Sequence, residues 1–477
     1  MWLSGSSGGG SATMTSGSAR HRDFVRARAR TMSSEESGSV SVKSISDRRT
    51  KYVSSSDVSI SGTAMIVGAG SNHRNLTTSQ AFWHCMSLVL GLGTLTIPYT
   101  LKKLGWAGLI VLAVIAVLSA HTAKLLCRCI EARTGASALK GRMENYPDIG
   151  EAAYGKAGRR LVEWILYVDL VASAALFLVF IATNLKGVFP NAGLGRIGWI
   201  VAVSLSLLPT VWLKLEKLSF LSVIGSFIML ALVFTVVYAA FSAAPETLDD
   251  NHYDFARMEF DAVGNIIFAF AMHGTLLTIY RDMRQPKDAE KLFNKVYLCG
   301  YILKFTVGVT GYYLFAQNTL DQITLNLPIP WLQRFITLAV TAKKWLTYAL
   351  PLEPVAKAAE RGDCFRSGKI SALVIPSKLR SVVIRTILVG STAILAISIP
   401  FFGLFQSLVG SLCAGFLVLI FPILFYLKLF KSSMPRREYL FHAFLLGVAC
   451  LLVGLSAQKS LKMAAAAWIS SSPTGDH

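Results

Sequence analysis

The stretch Gly91-Leu92-Gly93-Thr94-Leu95-Thr96-Ile97-Pro98 lies in the middle of the first long apolar block of this chain. Glycine weakens a helix because it loses much backbone freedom on folding, and proline removes a backbone donor. The stretch therefore predicts an interrupted helix. Inside a bilayer, the backbone groups that such an interruption frees must bond to protein, water or a ligand.

The composition around this stretch is typical of a multi-pass membrane protein. Of 477 residues, 53% are hydrophobic and 16% are charged, whereas soluble domains average about 25% charged residues. The mean hydropathy is +0.51. Because the apolar residues form long runs, a soluble enzyme is excluded.

Eleven apolar blocks follow residue 79, each close to the roughly 20 residues that a membrane-spanning helix needs. We therefore predict an all-α membrane protein with about 11 transmembrane helices. The blocks lie at about 80–100, 106–128, 162–187, 196–213, 218–243, 260–280, 293–316, 331–353, 381–401, 404–428 and 438–457.

The segment before the first block has a different composition. Residues 1–78 are rich in Ser and Gly with clustered Arg, which predicts a disordered cytoplasmic tail. The membrane domain is expected at 79–457, followed by a short C-terminal tail at 458–477. The Arg-rich, acid-poor part of the first segment, residues 19–32, leaves an organellar transit peptide as an alternative.

The formal net charge of +20 could indicate nucleic-acid binding. The basic residues, however, concentrate in alternate loops, as they do in membrane proteins whose cytoplasmic loops carry Lys and Arg. We therefore expect a lipid bilayer and no nucleic acid as the partner, with a cytoplasmic N-terminus and a lumenal or external C-terminus. Lys102 and Lys103 are the exception, because they fall in a loop assigned to the opposite side.

A second interruption is predicted in the sixth block, within residues 268–275. Paired interruptions in two halves of a chain are typical of inverted-repeat transporters, whose half-helix N-termini face anionic groups of the substrate. A tight helix crossing mediated by small residues is the alternative for the glycines, and simple packing is the alternative for His273. The candidate substrate-binding residues from both interruptions are Gly91, Leu92, Gly93, Thr94, Phe270, His273 and Gly274.

Charged residues inside spans are costly and are therefore functional candidates. Asp169, Lys304 and Lys343 lie inside the third, seventh and eighth blocks, and His273 can change charge near neutral pH. These four residues are the proton-coupling candidates. Either lysine is expected to neutralise Asp169 or to occupy the place where another transporter holds a cation. No metal or cofactor is expected.

Ten short motifs are distributed over the whole membrane part, about 79–457. They are found at 91–99, 105–109, 146–155, 167–170, 183–185, 273–274, 279–280, 283–286, 311–312 and 323–328. In these motifs, and in their order and spacing, the chain resembles the amino acid/auxin permease superfamily, and within it the vesicular inhibitory and vacuolar amino-acid transporters.

This resemblance implies a LeuT-like fold of five plus five inverted helices with one extra, in which helices 1 and 6 are broken. It also implies proton-linked secondary transport of small amino acids, in a vacuolar or vesicular membrane or in the plasma membrane. Ser87 stands where the family often has Asn, and is added to the substrate-binding candidates. Asp169 stands where relatives often carry Glu, and Lys304 and Lys343 are more similar to the vesicular branch.

The function expected from these features is a proton-coupled secondary transporter of small neutral amino acids that works by alternating access. The alternative is a membrane sensor or scaffold that binds an amino acid and signals through the N-terminal tail. An enzyme is not favoured, because the blocks contain no metal cluster and no nucleophile–base motif. An ion channel is disfavoured as well, because no filter repeat is present.

Overall fold

The structure is a computed structural model. It describes residues 76–131, 145–212, 219–242, 252–360, 377–399 and 401–470. The predicted N-terminal tail lies outside the described residues as far as residue 75. Within the described ranges the regular elements are helices, with one isolated parallel β-bridge between Leu76 and Met283.

The helices are numbered in chain order. Their bounds are α1 Thr78–Val89, α2 Leu92–Leu95, α3 Ile97–Leu104, α4 Gly108–Glu131, α5 Tyr146–Val188, α6 Arg196–Trp212, α7 Ser219–Ser242, α8 Asp261–Ala269, α9 His273–Asp282, α10 Ala289–Phe315, α11 Pro330–Thr347, α12 Ala349–Glu360, α13 Ser377–Ser398, α14 Phe402–Val409, a π-helix Gly410–Ile420, α15 Phe421–Leu429 and α16 Arg436–Ser470. Short 3₁₀ turns occupy Pro190–Ala192, Pro286–Asp288, Ala316–Asn318 and Ile323–Leu325.

Eight of the described helical stretches are long and apolar enough to cross a membrane, which confirms the all-α membrane class. The three other predicted blocks are helical as well, but each falls short of that criterion. Block 80–100 is divided among α1, α2 and α3, block 196–213 forms the 17-residue helix α6, and block 331–353 is shared by α11 and α12. At the end of the chain, α16 continues to Ser470, beyond residue 457 where the last block ends.

The first span is interrupted where its glycines and proline predict. A capping box on Thr77 and Gln80 starts α1, which ends at Val89. Gly91 is extended, with ψ of −158°, so the short helix α2 begins anew after it. A second irregularity at Thr96 separates α2 from α3, and Pro98 lies in the first turn of α3, where its missing N–H costs little.

The sixth span is interrupted as well. Helix α8 ends at Ala269, residues 270–272 leave the helical path, and α9 begins at His273. Helix α2 packs directly on α8, and a Cβ added to Gly93 would overlap the backbone of Ala269. The two glycines of the first span therefore have different roles. Gly91 lies at the interruption, and Gly93 permits the close crossing of α2 and α8.

The two lysines that break the loop-charge pattern are both bound by the protein. The Lys103 ammonium lies 2.5 Å from an Asp261 carboxylate oxygen and 3.5 Å from one of Glu259. The Lys102 ammonium donates to the Thr319 carbonyl at 3.1 Å. Since Lys103 follows the first interruption and Asp261 precedes the second, the ion pair joins α3 to α8.

The residue that leads into α1 is tied to the residues that follow α9. The Leu76 N–H donates to the Asp282 carbonyl, and the Arg284 N–H donates to the Leu76 carbonyl, both at 2.9 Å. Leu76 and Met283 are both buried. This main-chain link connects the beginning of the first span to the end of the sixth.

The ion pair between α3 and α8 gives a first prediction. Replacing Lys103 by Met leaves the Asp261 carboxylate buried at 2% side-chain exposure without its cation. Removing one partner of a buried pair costs about 3–5 kcal/mol, so the midpoint of thermal unfolding in detergent should fall clearly. Lys102→Met, which removes a bond to one carbonyl, should lower the midpoint much less. Equal midpoints for the two variants would contradict a structural role for the pair.

Candidate substrate site

A single side chain on α10 contacts both interrupted spans. The Lys304 ammonium donates to the Val89 carbonyl at 2.7 Å, and it lies 4.7 Å from the centre of the Phe270 ring. Val89 is the last residue of α1, where unpaired carbonyls carry partial negative charge. Phe270 belongs to the second interruption and presents the negative face of its ring. Lys304, fully buried, therefore holds the two interruptions together.

This arrangement bears on the two alternative roles expected of the lysines. Neither lysine neutralises Asp169: the Asp169 Oδ1 atom and the Lys343 ammonium are both buried without a hydrogen-bond partner in the described part of the chain. Lys304 is bound to the Val89 carbonyl instead. The described contacts therefore contain no pairing of either lysine with Asp169, and the alternative role, that of a built-in cation, stays a prediction.

A row of buried side chains connects Phe270, through Tyr297 and His273, to helix α4. The rings of Phe270 and Tyr297 lie 6.1 Å apart, and those of Tyr297 and His273 lie 6.3 Å apart. The His273 Nε2 atom lies 3.0 Å from the hydroxyl of Thr122 on α4. The sequence reasoning missed Tyr297 and Thr122. Tyr297 precedes Lys304 by seven residues, which places both on the same helix face. This spacing could have indicated that Tyr297 lies near the site.

Several of the buried polar atoms that have no hydrogen-bond partner in the described part of the chain lie on the helices that surround the interruptions. Native proteins bond nearly all such atoms, so unpaired ones indicate where water or a polar ligand binds. Among the described residues they include Thr94 Oγ1, Ser119 Oγ, Asn265 Oδ1, His273 Nδ1 and the Tyr297 hydroxyl.

Asp169 lies on α5, close to the second interruption but not in it. A Cβ on Gly274 would lie 2.9 Å from Leu166, one turn before Asp169 on the same helix. Helix α5 also packs against the π-helix. Asp169 is partly exposed, while its Oδ1 atom is buried and unpaired.

Lys343 on α11 is placed against another helix. A Cβ added to Gly225 of α7 would lie 3.2 Å from the Lys343 ammonium. The neighbouring Lys344 ammonium lies 4.3 Å from the centre of the Phe177 ring on α5. Of the two candidate lysines, Lys304 is therefore the one with recorded contacts to both interruptions.

The remaining candidates differ in exposure. Leu92, Gly93 and Thr94 are buried, whereas Ser87 and Gly91 are partly exposed. Gly274 at the start of α9 is partly exposed as well. In the described part of the chain, no three His, Cys, Asp or Glu side chains are grouped closely enough to hold a metal.

An all-helical membrane chain with interrupted first and sixth spans has the architecture of inverted-repeat secondary transporters. A crystal structure of MhsT in complex with L-phenylalanine is similar in fold, with a TM-score of 0.53 and 13% identity, and the match covers 82% of this chain and 100% of MhsT. The LeuT-like fold with broken helices 1 and 6 is thereby confirmed.

The chain belongs to the transmembrane amino acid transporter family, whose model matches residues 74–462. The amino acid transporter AVT1D of Arabidopsis thaliana is 30% identical over 376 residues, which are 76% of this chain and 65% of AVT1D. The vesicular inhibitory amino acid transporter of Xenopus tropicalis is 26% identical over 399 residues, which are 80% of this chain and 76% of that protein. The match thus spans just under two thirds of the length of AVT1D.

The close crossing of the two interrupted spans gives a second prediction. Gly93→Ala places a methyl group into the backbone of Ala269, so α2 and α8 must separate. Overpacking of this kind costs about 1–3 kcal/mol, and the midpoint of thermal unfolding should fall.

Gly390→Ala is the matched control, because Gly390 is a helical glycine with no atom within 4 Å of its added Cβ. Alanine there should be neutral or slightly stabilising, by about 0.5–1 kcal/mol. If Gly93→Ala unfolds at the same temperature as Gly390→Ala, the two spans do not cross as described.

Proposed function

We propose that the protein is a proton-coupled secondary transporter that moves small neutral amino acids across a membrane by alternating access. The observation that carries this proposal is the meeting of both interruptions at Lys304. Membership of the transmembrane amino acid transporter family and similarity to proteins named as amino acid transporters support the amino-acid substrate.

In this proposal the substrate carboxylate binds the backbone N–H groups around Gly91 to Thr94. The Thr94 N–H bonds to the Gly91 carbonyl at 3.2 Å, so the N–H groups before it are at the free N-terminal end of α2. Ser87 and Gly91, both partly exposed, line the same wall. Phe270, His273 and Gly274 form the opposite wall.

Lys304 takes the part of a tethered cation. In transporters with broken helices, half-helix C-termini and freed carbonyls coordinate the coupling ion. Here the Val89 carbonyl already accepts from the Lys304 ammonium. A built-in cation in that position favours coupling to protons, because it needs only to gain or lose a proton rather than exchange a metal ion.

The other coupling residues are Asp169, His273 and Lys343. Each has a buried polar atom with no hydrogen-bond partner in the described part of the chain: Oδ1, Nδ1 and Nζ respectively. In this proposal these unpaired atoms are the positions at which a proton is gained or lost as the spans rearrange. The Thr122 hydroxyl holds the other nitrogen of His273 and orients its ring.

We place the protein in a vacuolar or vesicular membrane, with a cytoplasmic N-terminus and a lumenal or external C-terminus. The alternation of basic loops supports this orientation. The vesicular relative supports an internal membrane, with the plasma membrane as the other possibility.

The proposal predicts the result of a flux assay. Proteoliposomes that contain the purified protein should accumulate a small neutral amino acid when a pH gradient is imposed, and a proton ionophore should abolish the accumulation. Radiolabelled amino acids across a broad panel provide the measurement. A panel in which no amino acid responds to the gradient would refute proton coupling.

Variants separate coupling from binding. Asp169→Asn and Lys304→Met should each lower gradient-driven uptake about tenfold or more, a change of about 1.4 kcal/mol or greater, because each removes a proton-carrying group. Exchange of internal for external amino acid, which needs no net proton movement, should be retained for Asp169→Asn. Lys344→Met is the control, since Lys344 lies over Phe177 and not at the interruptions.

The second candidate function is an amino-acid sensor or scaffold that signals through the N-terminal tail. One observation favours it: the main-chain link at Leu76 ties the end of the tail to the end of the interrupted sixth span. In this second candidate function, a substrate-dependent movement of the sixth span would act on Leu76, where the described chain begins.

Deletion of residues 1–75 distinguishes the two functions. For a transporter, the initial rate of uptake in proteoliposomes should stay unchanged, because the deletion ends before Leu76 and keeps its link. For a sensor, the substrate-dependent output in cells should be lost while substrate binding remains. A full-length control, reconstituted at the same protein-to-lipid ratio, sets the reference rate.

A further inference from the structure

Six exposed basic residues lie at one end of the molecule, where α5, α15 and α16 come together. None of them forms an ion pair within the described ranges. We call this set the basic rim; it consists of Lys156, Arg160, Lys428, Lys431, Arg436 and Arg437.

Recorded contacts bring the parts of the basic rim together. Gly155, with φ of +66°, bends α5 so that its first two turns lie apart from the rest of the helix. The Tyr154 ring before the bend lies 6.1 Å from the Phe425 ring on α15, and the Lys428 ammonium lies 5.6 Å from the centre of the Tyr154 ring. Lys428 therefore lies beside the bend, and Lys156 is the first residue after the bend.

The start of α16 is fixed to the same place. The Tyr426 hydroxyl on α15 donates to the Glu438 carboxylate at 3.0 Å. Arg436 and Arg437 immediately precede Glu438, and Lys431 lies in the turn between the two helices. The basic rim is thus one surface built from three helices.

The acidic residues of this surface already have partners. Arg159 binds Asp148, Glu151 and Glu163 at 2.8–2.9 Å. Glu438 accepts from Tyr426. With Arg159, the surface carries seven cations against these four carboxylates, so it keeps a net charge of +3, and the six cations of the basic rim have no ion-pair partner among the described residues.

Exposed apolar side chains begin immediately next to the basic rim. On α5, Trp164 is 68% exposed and follows Arg160 by one turn. On α16, Phe444 is 68% exposed and lies two turns after Arg437. Such surfaces face lipid tails, so the cations stand at the level of the headgroups.

An open hollow of about 610 Å³ lies at the bend of α5. It is lined by Glu151, Lys156, Arg159 and Arg160. A Cβ added to Gly155 would meet no atom within 4 Å, so the bend itself leaves free space.

We propose that the basic rim binds an anionic phospholipid whose headgroup carries several phosphates. Basic pockets beside transmembrane helices bind phosphorylated headgroups, and each Lys or Arg near an anionic surface adds attraction. An arginine such as Arg160 can hold a phosphate with two parallel hydrogen bonds. Several convergent cations match a headgroup with several phosphates better than one with a single charge.

The test measures binding of two short-chain lipids to the full-length purified protein in phosphatidylcholine nanodiscs, without any transport assay. The probes are a phosphatidylinositol bisphosphate and phosphatidylserine. We expect the bisphosphate to bind more tightly and to raise the midpoint of thermal unfolding. Lys156→Gln with Arg160→Gln should weaken its binding by roughly tenfold or more, since each cation contributes independently.

A second pair, Lys428→Gln with Lys431→Gln, tests the same surface from α15 and should weaken binding similarly. The matched control is Lys459→Gln with Lys462→Gln, at the other end of α16, where both lysines are exposed as well. Equal affinity for the two lipids, or equal loss in the control pair, would overturn the proposal and leave the basic residues with a role in orientation only.

Discussion

The structure depends on which groups bond to the backbone N–H and C=O groups that are left unpaired where two membrane-spanning helices are interrupted. Water is absent from the bilayer core, so every carbonyl that an interruption frees needs a partner from the protein or a ligand. The Lys304 ammonium bonds to such a carbonyl, that of Val89, at the first interruption. It also lies over the Phe270 ring at the second interruption, so it contacts both. The Lys103–Asp261 pair gives a second link between the two interrupted spans, between α3 and α8.

Several features of this arrangement could be predicted from the sequence because their causes are local. Gly91 lies at the first interruption and Pro98 in the first turn of the helix that follows, where glycine and proline are favoured, and the hydropathy of the blocks defines the spans. The second interruption falls within the predicted residues 268–275, although its three non-helical residues, 270–272, include neither glycine nor proline.

The partners of the charged groups could not be predicted in the same way. Lys304 and Asp169 both stood out as charges in apolar blocks, yet their contacts depend on how distant helices pack. Tyr297 and Thr122 looked like ordinary packing residues, and only their position beside His273 distinguishes them. Lys103 contradicted the loop-charge pattern until its buried partner was known.

The link at Leu76 has a mechanical consequence for the two interrupted spans. Both of its hydrogen bonds use main-chain atoms, while the Leu76 side chain is buried, so the link depends on an apolar residue at this position and on no polar side chain. A pull on the chain at Leu76 would therefore act on the first and the sixth span together, because Leu76 precedes α1 and is bonded to the residues that end the sixth span.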